Sequence, residues 1–442
     1  MFLKDNFINK NALILGFGKS GISASKILEK KLKNNIYVFD EKPIKTKYKK
    51  ISIKNIDKEI KKIDFTIKSP GISDDHFVIK KLKEKNIPIY SEVELALSFI
   101  RSKNIIMITG TNGKSTTTYL TYLIINEYLK KNGKQAVLCG NIGTPVSSVV
   151  DKVRENDWVV IEISSYQIQD STFLKPKIAI ILNITPDHIE HHGSFENYIK
   201  AKFKIFSNMD KNDTLIINND DKILKKVKAN AKILKFSLKQ KSDSYYENQK
   251  IIVQKEGQKL IFIPAKIPGM HNIENQMASI LASLCVGVDF KTIQDVLNKF
   301  KGLEHRIEFV REINGVIYIN DSKATNVDST LTALKALGKR KNIYLILGGK
   351  HKNSPYTPLI PLIKKYVKKI LAVGEATPII FNDLKGYVEI IDAGNIKKAI
   401  EIAKNQAKKG DIVLLSPACA SFDQFKNFEE RGKKFKKWVN SL

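Results

Sequence analysis

The 442-residue sequence predicts an α/β protein of three domains, each built on a mainly parallel sheet with Rossmann-like or P-loop-like units. Three observations predict it. Short apolar, β-branched runs alternate with helical stretches almost throughout, as when strands are joined by helical crossovers. Two of these runs end in glycine-rich turns that open helices, at Gly16-Phe17-Gly18-Lys19-Ser20-Gly21 and Gly110-Thr111-Asn112-Gly113-Lys114-Ser115. A third series of apolar runs follows Leu303, at 343–349, 370–374 and 412–416. The length accommodates several cores, and boundaries are expected near residues 97 and 303, giving domains 1–96, 97–302 and 303–442.

The first unit opens with the strand Ala12-Leu13-Ile14-Leu15 and runs into Gly16-x-Gly18-x-x-Gly21. Asp40 ends the next strand, Ile36-Tyr37-Val38-Phe39. This is a dinucleotide fingerprint: a diphosphate at a helix N-terminus and an acidic group near a ribose or base. NAD meets that requirement, and a UDP-sugar meets it equally well.

The second unit places the buried strand Ile105-Ile106-Met107-Ile108 before Gly110 and a helix from Ser115 to about Lys130. Strand, glycine turn, Lys-Ser and helix make a phosphate cradle, shorter than the usual P-loop. Backbone N–H groups close on phosphate oxygens where the helix dipole favours anions. Lys114 is suited to the β- and γ-phosphates of ATP, and Ser115 to magnesium. Trp158-Val159-Val160-Ile161-Glu162 is a second buried strand, ending in a carboxylate where magnesium needs an oxygen ligand. The strand beginning Ala179-Ile180-Ile181 opens into a polar loop carrying His188, His191 and His192. Without a cysteine or HExxH pattern these do not read as zinc ligands. His188 is the candidate for aiding magnesium, and the other two read as plain loop residues.

Two further loops follow strands. Asn320-Asp321-Ser322-Lys323-Ala324-Thr325-Asn326 packs polar residues of many types into one turn after Val316–Ile319, as a site loop does. Ser416-Pro417-Ala418-Cys419-Ala420-Ser421 leads a strand through small residues toward a helix, where backbone N–H groups can hold a carboxylate.

The formal charge of +30 suggests a nucleic-acid partner. The lysines are spread along the whole chain, however, arginine is scarce, and aromatics do not interleave with the basic runs as stacking platforms would. A solvated lysine surface is expected instead, with no nucleic-acid partner. No apolar run approaches the roughly 18 residues of a membrane span, so no membrane insertion is expected. Met1-Phe2-Leu3-Lys4-Asp5 lacks a signal-peptide core, and Cys139, Cys285 and Cys419 are scattered without metal-ligand spacing. Both features point to the reducing cytoplasm, and a monomer is expected.

Taken together, these motifs resemble the Mur ligases of peptidoglycan synthesis, in order and over essentially the whole chain. Thr109-Gly110-Thr111-Asn112-Gly113-Lys114-Ser115-Thr116 marks a superfamily that includes the folylpolyglutamate synthases. The 320–326 loop, the 416–421 loop and Asp423-Gln424-Phe425-Lys426-Asn427-Phe428 are similar to the D-glutamate-adding branch. The Asp-Asn-Pro-Arg motif of the diaminopimelate- or lysine-adding branch is not found.

The resemblance implies one domain each for a UDP-sugar, ATP and an incoming amino acid. It implies that ATP phosphorylates the carboxylate of UDP-N-acetylmuramoyl-L-alanine and that D-glutamate attacks the acyl phosphate. Catalysis would rest on Lys114, Glu162, His188 and Lys202. Ser115 and Glu162 would ligate one magnesium; His188 and Lys202, the latter carbamylated, would ligate a second. ATP would contact Gly110, Thr111, Asn112, Gly113, Lys114, Ser115, Thr116, Asn275, Arg306 and Asp321. The UDP-substrate set would be Gly16, Phe17, Gly18, Lys19, Ser20, Asp40, Ser69, Gly71 and Asn141. D-Glutamate would meet Thr325, Lys352, Ser421 and Phe428. Lys19-Ser20 departs from the uncharged residue and threonine of familiar members.

Three alternatives compete. A folylpolyglutamate synthase shares the P-loop and acyl-phosphate logic, but a pterin substrate gives no reason for the fingerprint at 16–21. A basic nucleic-acid-binding ATPase accounts for the charge and for none of the three polar loops. A nicotinamide-dependent dehydrogenase accounts for the first unit and leaves the P-loop idle.

Overall fold

A computed structural model describes residues 7–351 and 354–442. Met1–Asp5 and Lys352 therefore lie outside the described residues. The chain divides into two compact units: residues up to Ala265 together with Ile273–Lys299, and Lys266–Asn272 together with Phe300–Leu442.

The first unit carries two sheets. The N-terminal one is wholly parallel, in the order Lys49–Lys50, Asn35–Phe39, Asn11–Leu15, Phe65–Lys68, Ile89–Ser91. Its central strands are apolar because both faces are covered, as βαβ crossovers require. The larger sheet runs Ala136–Gly140, Trp158–Glu162, Ile105–Thr109, Ile178–Ile181, Thr214–Asn218, Lys232–Ser237, Ser244–Glu247, Lys250–Lys255, Gln258–Phe262. Ile105–Thr109 is buried at every residue and lies between Trp158–Glu162 and Ile178–Ile181. The chain order reverses about this strand, which makes the crevice beyond its C-terminal end a topological switch point. One apolar cluster joins the two sheets, running from Ala12 and Val38 through Val93 and Leu97 to Met107 and Ile161.

The second unit has one sheet, in the order Glu308–Ile313, Val316–Asn320, Ile412–Leu415, Ile343–Gly348, Val367–Val373, Glu389–Gly394. Alternate residues of Ile343–Gly348 feed opposite cores: Ile343, Leu345 and Leu347 one face, Tyr344 and Ile346 the other. That period of two is the strand signature. No helix among the described residues is long and apolar enough to cross a membrane.

The α/β expectation holds, with two departures from strand–helix alternation. Ser244–Glu247, Lys250–Lys255 and Gln258–Phe262 form an antiparallel meander. Its turns are Asn248-Gln249 and Glu256-Gly257, each pair at positive φ, as the tight hairpin turn matching strand twist requires. Glu308–Ile313 likewise pairs antiparallel with Val316–Asn320 through Asn314-Gly315, also at positive φ. That Asn-Gly is the strongest short-range hairpin signal.

Candidate active site

The strand Ile105–Thr109 and the helix Lys114–Lys130 hold the glycine turn between them. Gly113, at φ +84°, is the residue before the helix, and a Cβ there would lie 2.3 Å from Asn275 Oδ1. Only glycine satisfies both the left-handed backbone and this close approach. Lys114 Nζ curls back to donate to Gly110 O at 2.7 Å and Thr111 O at 2.8 Å. Ser115 and Thr116 are buried in the first helical turn.

The turn is held by Asn183 and Tyr198, which the sequence did not single out, and by Asn275, which it did. Asn183 Oδ1 accepts from Asn112 N–H at 2.8 Å, and its amide donates to Asn112 O at 3.2 Å. Thr111 Oγ1 is 2.9 Å from the Tyr198 hydroxyl. Asn275, on the helix Met270–Val286, accepts from the Thr117 hydroxyl at 3.1 Å.

Glu162 pairs in register with Ile108, just before the glycine turn. Asn141 Nδ2 donates to Glu162 Oε1 at 2.8 Å. Glu162 Oε2 is buried and has no hydrogen-bond partner among the described residues. A buried carboxylate oxygen without a donor is costly unless a cation meets it. One carboxylate and one hydroxyl, Ser115, beside a phosphate cradle suit magnesium, which keeps waters and takes substrate phosphates as further ligands. Among the described residues no three His, Cys, Asp or Glu side chains gather into a self-sufficient metal cage.

The helix Phe195–Phe203 presents Tyr198, Ala201 and Lys202 inward. Lys202 is 1% exposed, whereas Lys200 and Lys204 face outward. Lys202 Nζ lies 3.1 Å from Gly110 O, the same carbonyl that Lys114 engages, and 3.3 Å from Thr109 Oγ1. Burial, then the charge of Lys114, holds its ammonium well below the usual lysine range, with Asp187 opposing. As an ammonium Lys202 cannot ligate a metal. Its neutral amine, which this environment favours, is the form that adds carbon dioxide to give an oxygen-bearing carbamate.

His188 stands beside these groups at φ +54°, a backbone region uncommon outside glycine and concentrated at functional sites. Burial lowers its imidazole below the usual histidine value. Asp187 opposes this, while Lys114 and Lys202 add to it. His191 and His192 are not plain loop residues. They lie in the helical turn Ile189–His192 and pack on Tyr166, with ring centroids 4.1 and 5.6 Å away. His192 is buried, sits 3.0 Å from Ser165 Oγ, and is pulled down to about 4 by burial and its neighbours.

In the N-terminal sheet, Gly16 is at φ +86°, and a Cβ there would lie 2.8 Å from Ser69 Cβ. Ser69 Oγ donates to Gly16 O at 2.8 Å. Asp40 accepts from the backbone N–H of Phe17 at 2.6 Å and of Lys42 at 2.9 Å, so its carboxylate shapes the turn. Gly18 and Gly71 open onto free space. Lys19 is exposed and Ser20 half-buried at the start of the helix Lys19–Leu32.

The second unit brings its own loops together. Ser322 Oγ donates to Phe428 O at 2.8 Å. Arg431, 1% exposed, donates to Ser322 Oγ and O and to the carbonyls of Cys419 and Ala420. Thr325 and buried Ser421 thus sit on loops pinned to one guanidinium, which burial lowers to about 10, and half-buried Phe428 begins the helix Phe428–Asn440 that carries it. Asp321 is buried and takes hydrogen bonds from the Ser416 hydroxyl at 2.8 Å and Ile307 N–H at 3.2 Å. Burial pushes its carboxyl up to about 7, against those bonds and the charges of Arg306 and Arg431. Lys350 N donates to Ala420 O at 2.9 Å; Lys352, two residues on, lies outside the described residues.

The fold is that of a multi-domain α/β protein whose central switch point carries a glycine turn opening a helix. The pattern of the Mur ligase middle domain matches residues 108–283, and that of the Mur ligase glutamate ligase domain matches residues 305–419. The UDP-N-acetylmuramoylalanine--D-glutamate ligase of Elusimicrobium minutum is 45% identical over 458 residues, covering 100% of both chains. That of Caldicellulosiruptor bescii is 39% identical, covering 98% of each. Among solved structures, a MurF ligase from Thermotoga maritima in complex with ADP superimposes with a TM-score of 0.61 at 16% identity, covering 99% of this chain and 100% of its own. The chain belongs to the Mur ligase family. Within that family, its full-length relatives include the D-glutamate ligases just described.

Proposed function

We infer that this protein joins D-glutamate to UDP-N-acetylmuramoyl-L-alanine at the expense of ATP, in peptidoglycan precursor synthesis. The observation that carries the chemistry is the convergence of Lys114 and Lys202 on Gly110 O, together with a buried Glu162 oxygen that has no hydrogen-bond partner among the described residues. Such a site attracts anions and a divalent cation together. The full-length likeness to D-glutamate ligases supports the choice of substrates.

A carboxylate is a poor acyl donor. Transfer of the γ-phosphoryl group from ATP to the substrate carboxylate forms an acyl phosphate and releases ADP. The amine of D-glutamate then attacks the acyl carbon, passes through a tetrahedral intermediate, loses a proton and expels phosphate. Lys114 holds the transferring phosphoryl group, and the backbone N–H groups of Gly113 to Ser115 cradle its oxygens. Magnesium, when bound, offsets the repulsion between two anions; Ser115 and Glu162 would hold one ion, His188 and carbamylated Lys202 a second. Asn141 orients Glu162 and meets the sugar-peptide portion. Asn275, Arg306 and Asp321 serve the nucleotide, while Gly16 to Ser20, Asp40, Ser69 and Gly71 serve the uridine diphosphate. Thr325, Lys352, Ser421 and Phe428 serve D-glutamate. The same reading divides the chain into domains 1–96, 97–302 and 303–442, and makes the protein a cytoplasmic monomer.

The test is ADP release with UDP-N-acetylmuramoyl-L-alanine and, in turn, D-glutamate, L-glutamate, lysine and diaminopimelate. Turnover with D-glutamate alone is expected. Equal turnover with another amino acid, or with a pterin substrate in place of the UDP-sugar, would overturn the reading.

A further inference from the structure

The strand Phe65–Lys68 ends at a lysine unlike the many on the surface. Lys68 is 1% exposed, with Nζ 2.7 Å from Asp74 Oδ1 and 3.0 Å from Asp170 Oδ2. Asp74 lies on the loop that Ser69 begins. Asp170 follows the helix Ser165–Gln169 of the central sheet. Gln169 Nε2 donates to the other oxygen of Asp74 at 2.7 Å. The loop is therefore held at its start by Ser69 on Gly16 and farther along by Lys68 and Gln169 on Asp74.

We propose that Lys68, Asp74 and Asp170, with Gln169, form a clamp that fixes the span between the sugar-nucleotide turn and the phosphoryl-transfer corner. The proposal rests on the functional reading above. On that reading one substrate must reach both ends: its uridine diphosphate lies at Gly16–Ser20 and its carboxylate near Glu162. The distance between those two places must then match the length of one molecule. The clamp joins them by a short route. Lys68 adjoins Ser69, which holds the glycine turn. Gln169 and Asp170 end the helix that starts three residues beyond Glu162, and Ser164 caps that helix with a reciprocal Gln167 contact. Lys68, Asp74 and Asp170 are positioning residues.

The two sheets are joined independently of the clamp. Glu94 accepts from Thr172 N–H at 2.8 Å and Phe173 N–H at 3.3 Å, Glu92 accepts from Ser147 N–H, and an apolar cluster is shared. Loosening the clamp should therefore shift the substrate loop without separating the sheets. A slipped loop loses contacts to the uridine diphosphate end in the ground state and the transition state alike, and such a loss raises KM for that substrate.

The experiment is steady-state kinetics on the full chain with UDP-N-acetylmuramoyl-L-alanine, magnesium-ATP and D-glutamate. Asp170→Asn and Gln169→Ala are compared with Lys368→Met, which breaks an ion pair with Asp411 in the other unit. Asp170→Asn should raise KM for the UDP substrate about tenfold, with KM for ATP held within about twofold. Gln169→Ala should move the same constant in the same direction, and Lys368→Met should move neither. If Asp170→Asn fails to fold, Gln169→Ala, which removes a single hydrogen-bonding side chain, decides. An active wild type with an unchanged UDP-substrate KM in the variants, or with KM for ATP rising in step, would overturn the clamp alone. No ADP release by the wild type would overturn the functional reading and the clamp with it.

Discussion

Replacing Arg431 by methionine should loosen two site loops at once. The guanidinium makes five hydrogen bonds, at 2.8 to 3.3 Å, to Ser322 and to the carbonyls of Cys419 and Ala420. Methionine fills most of the volume and donates nothing. Ala420 O keeps the Lys350 N–H at 2.9 Å, and Ser322 Oγ keeps Phe428 O. Ser322 O and Cys419 O lose the guanidinium donors. Each buried acceptor left short costs about 1–3 kcal/mol. Removing a charge that burial already disfavours returns part of this, which leaves a net loss of about 3 kcal/mol. For a unit of this size that lowers its unfolding midpoint by roughly 6–12 °C. Because the loops carrying Thr325 and Ser421 lose their common anchor, KM for D-glutamate should rise about tenfold or more. Calorimetry and initial rates with D-glutamate varied read both effects. Arg431→Lys, a point charge in place of a planar fork, should fall between. A methionine variant with wild-type melting and wild-type KM for D-glutamate would refute the reasoning.

Lys114→Ala should lower turnover by about a thousandfold while calorimetric binding of the UDP substrate is kept, because that substrate's nucleotide end is assigned to a different sheet; wild-type turnover would remove Lys114 from the phosphate site. Glu162→Ala should raise the magnesium concentration needed for half-maximal rate about tenfold or more, and an unchanged requirement would make Glu162 structural. Lys202→Ala should be nearly inactive and partly restored by acetate, which can supply the missing oxygens; Lys200→Ala and Lys204→Ala should keep most activity. Failure of acetate to act on Lys202→Ala, or its action on Lys200→Ala instead, would refute the carbamate.

What the sequence revealed follows from how local each signal is. The strands Ile105–Thr109 and Trp158–Glu162 are apolar runs ended by a glycine turn and a carboxylate, and neighbours in the chain define them. Asn314-Gly315 was equally local, yet a single hairpin is easily hidden inside an otherwise alternating α/β pattern. Arg431 could not be recognised from its neighbours. Among the charged residues of a polar helix it reads as surface, and its burial depends on carbonyls 11, 12 and 109 residues away along the chain. Lys68 is concealed in the same way by an abundance of lysines. Lys202 differs from Lys200 and Lys204 only in facing the glycine turn on a helix of period 3.6, which family resemblance located and spacing alone could not. Asn183 and Tyr198 hold the glycine turn through contacts that no motif announces.

The central claim is that the UDP substrate's carboxylate is activated by ATP through a carboxyl–phosphate bond. The direct measurement uses UDP-N-acetylmuramoyl-L-alanine with oxygen-18 in its carboxylate and follows the label by mass spectrometry during turnover with D-glutamate. One labelled oxygen should pass into each released phosphate, and the other should remain in the new amide. Unlabelled phosphate, with both labelled oxygens elsewhere, would contradict the claim.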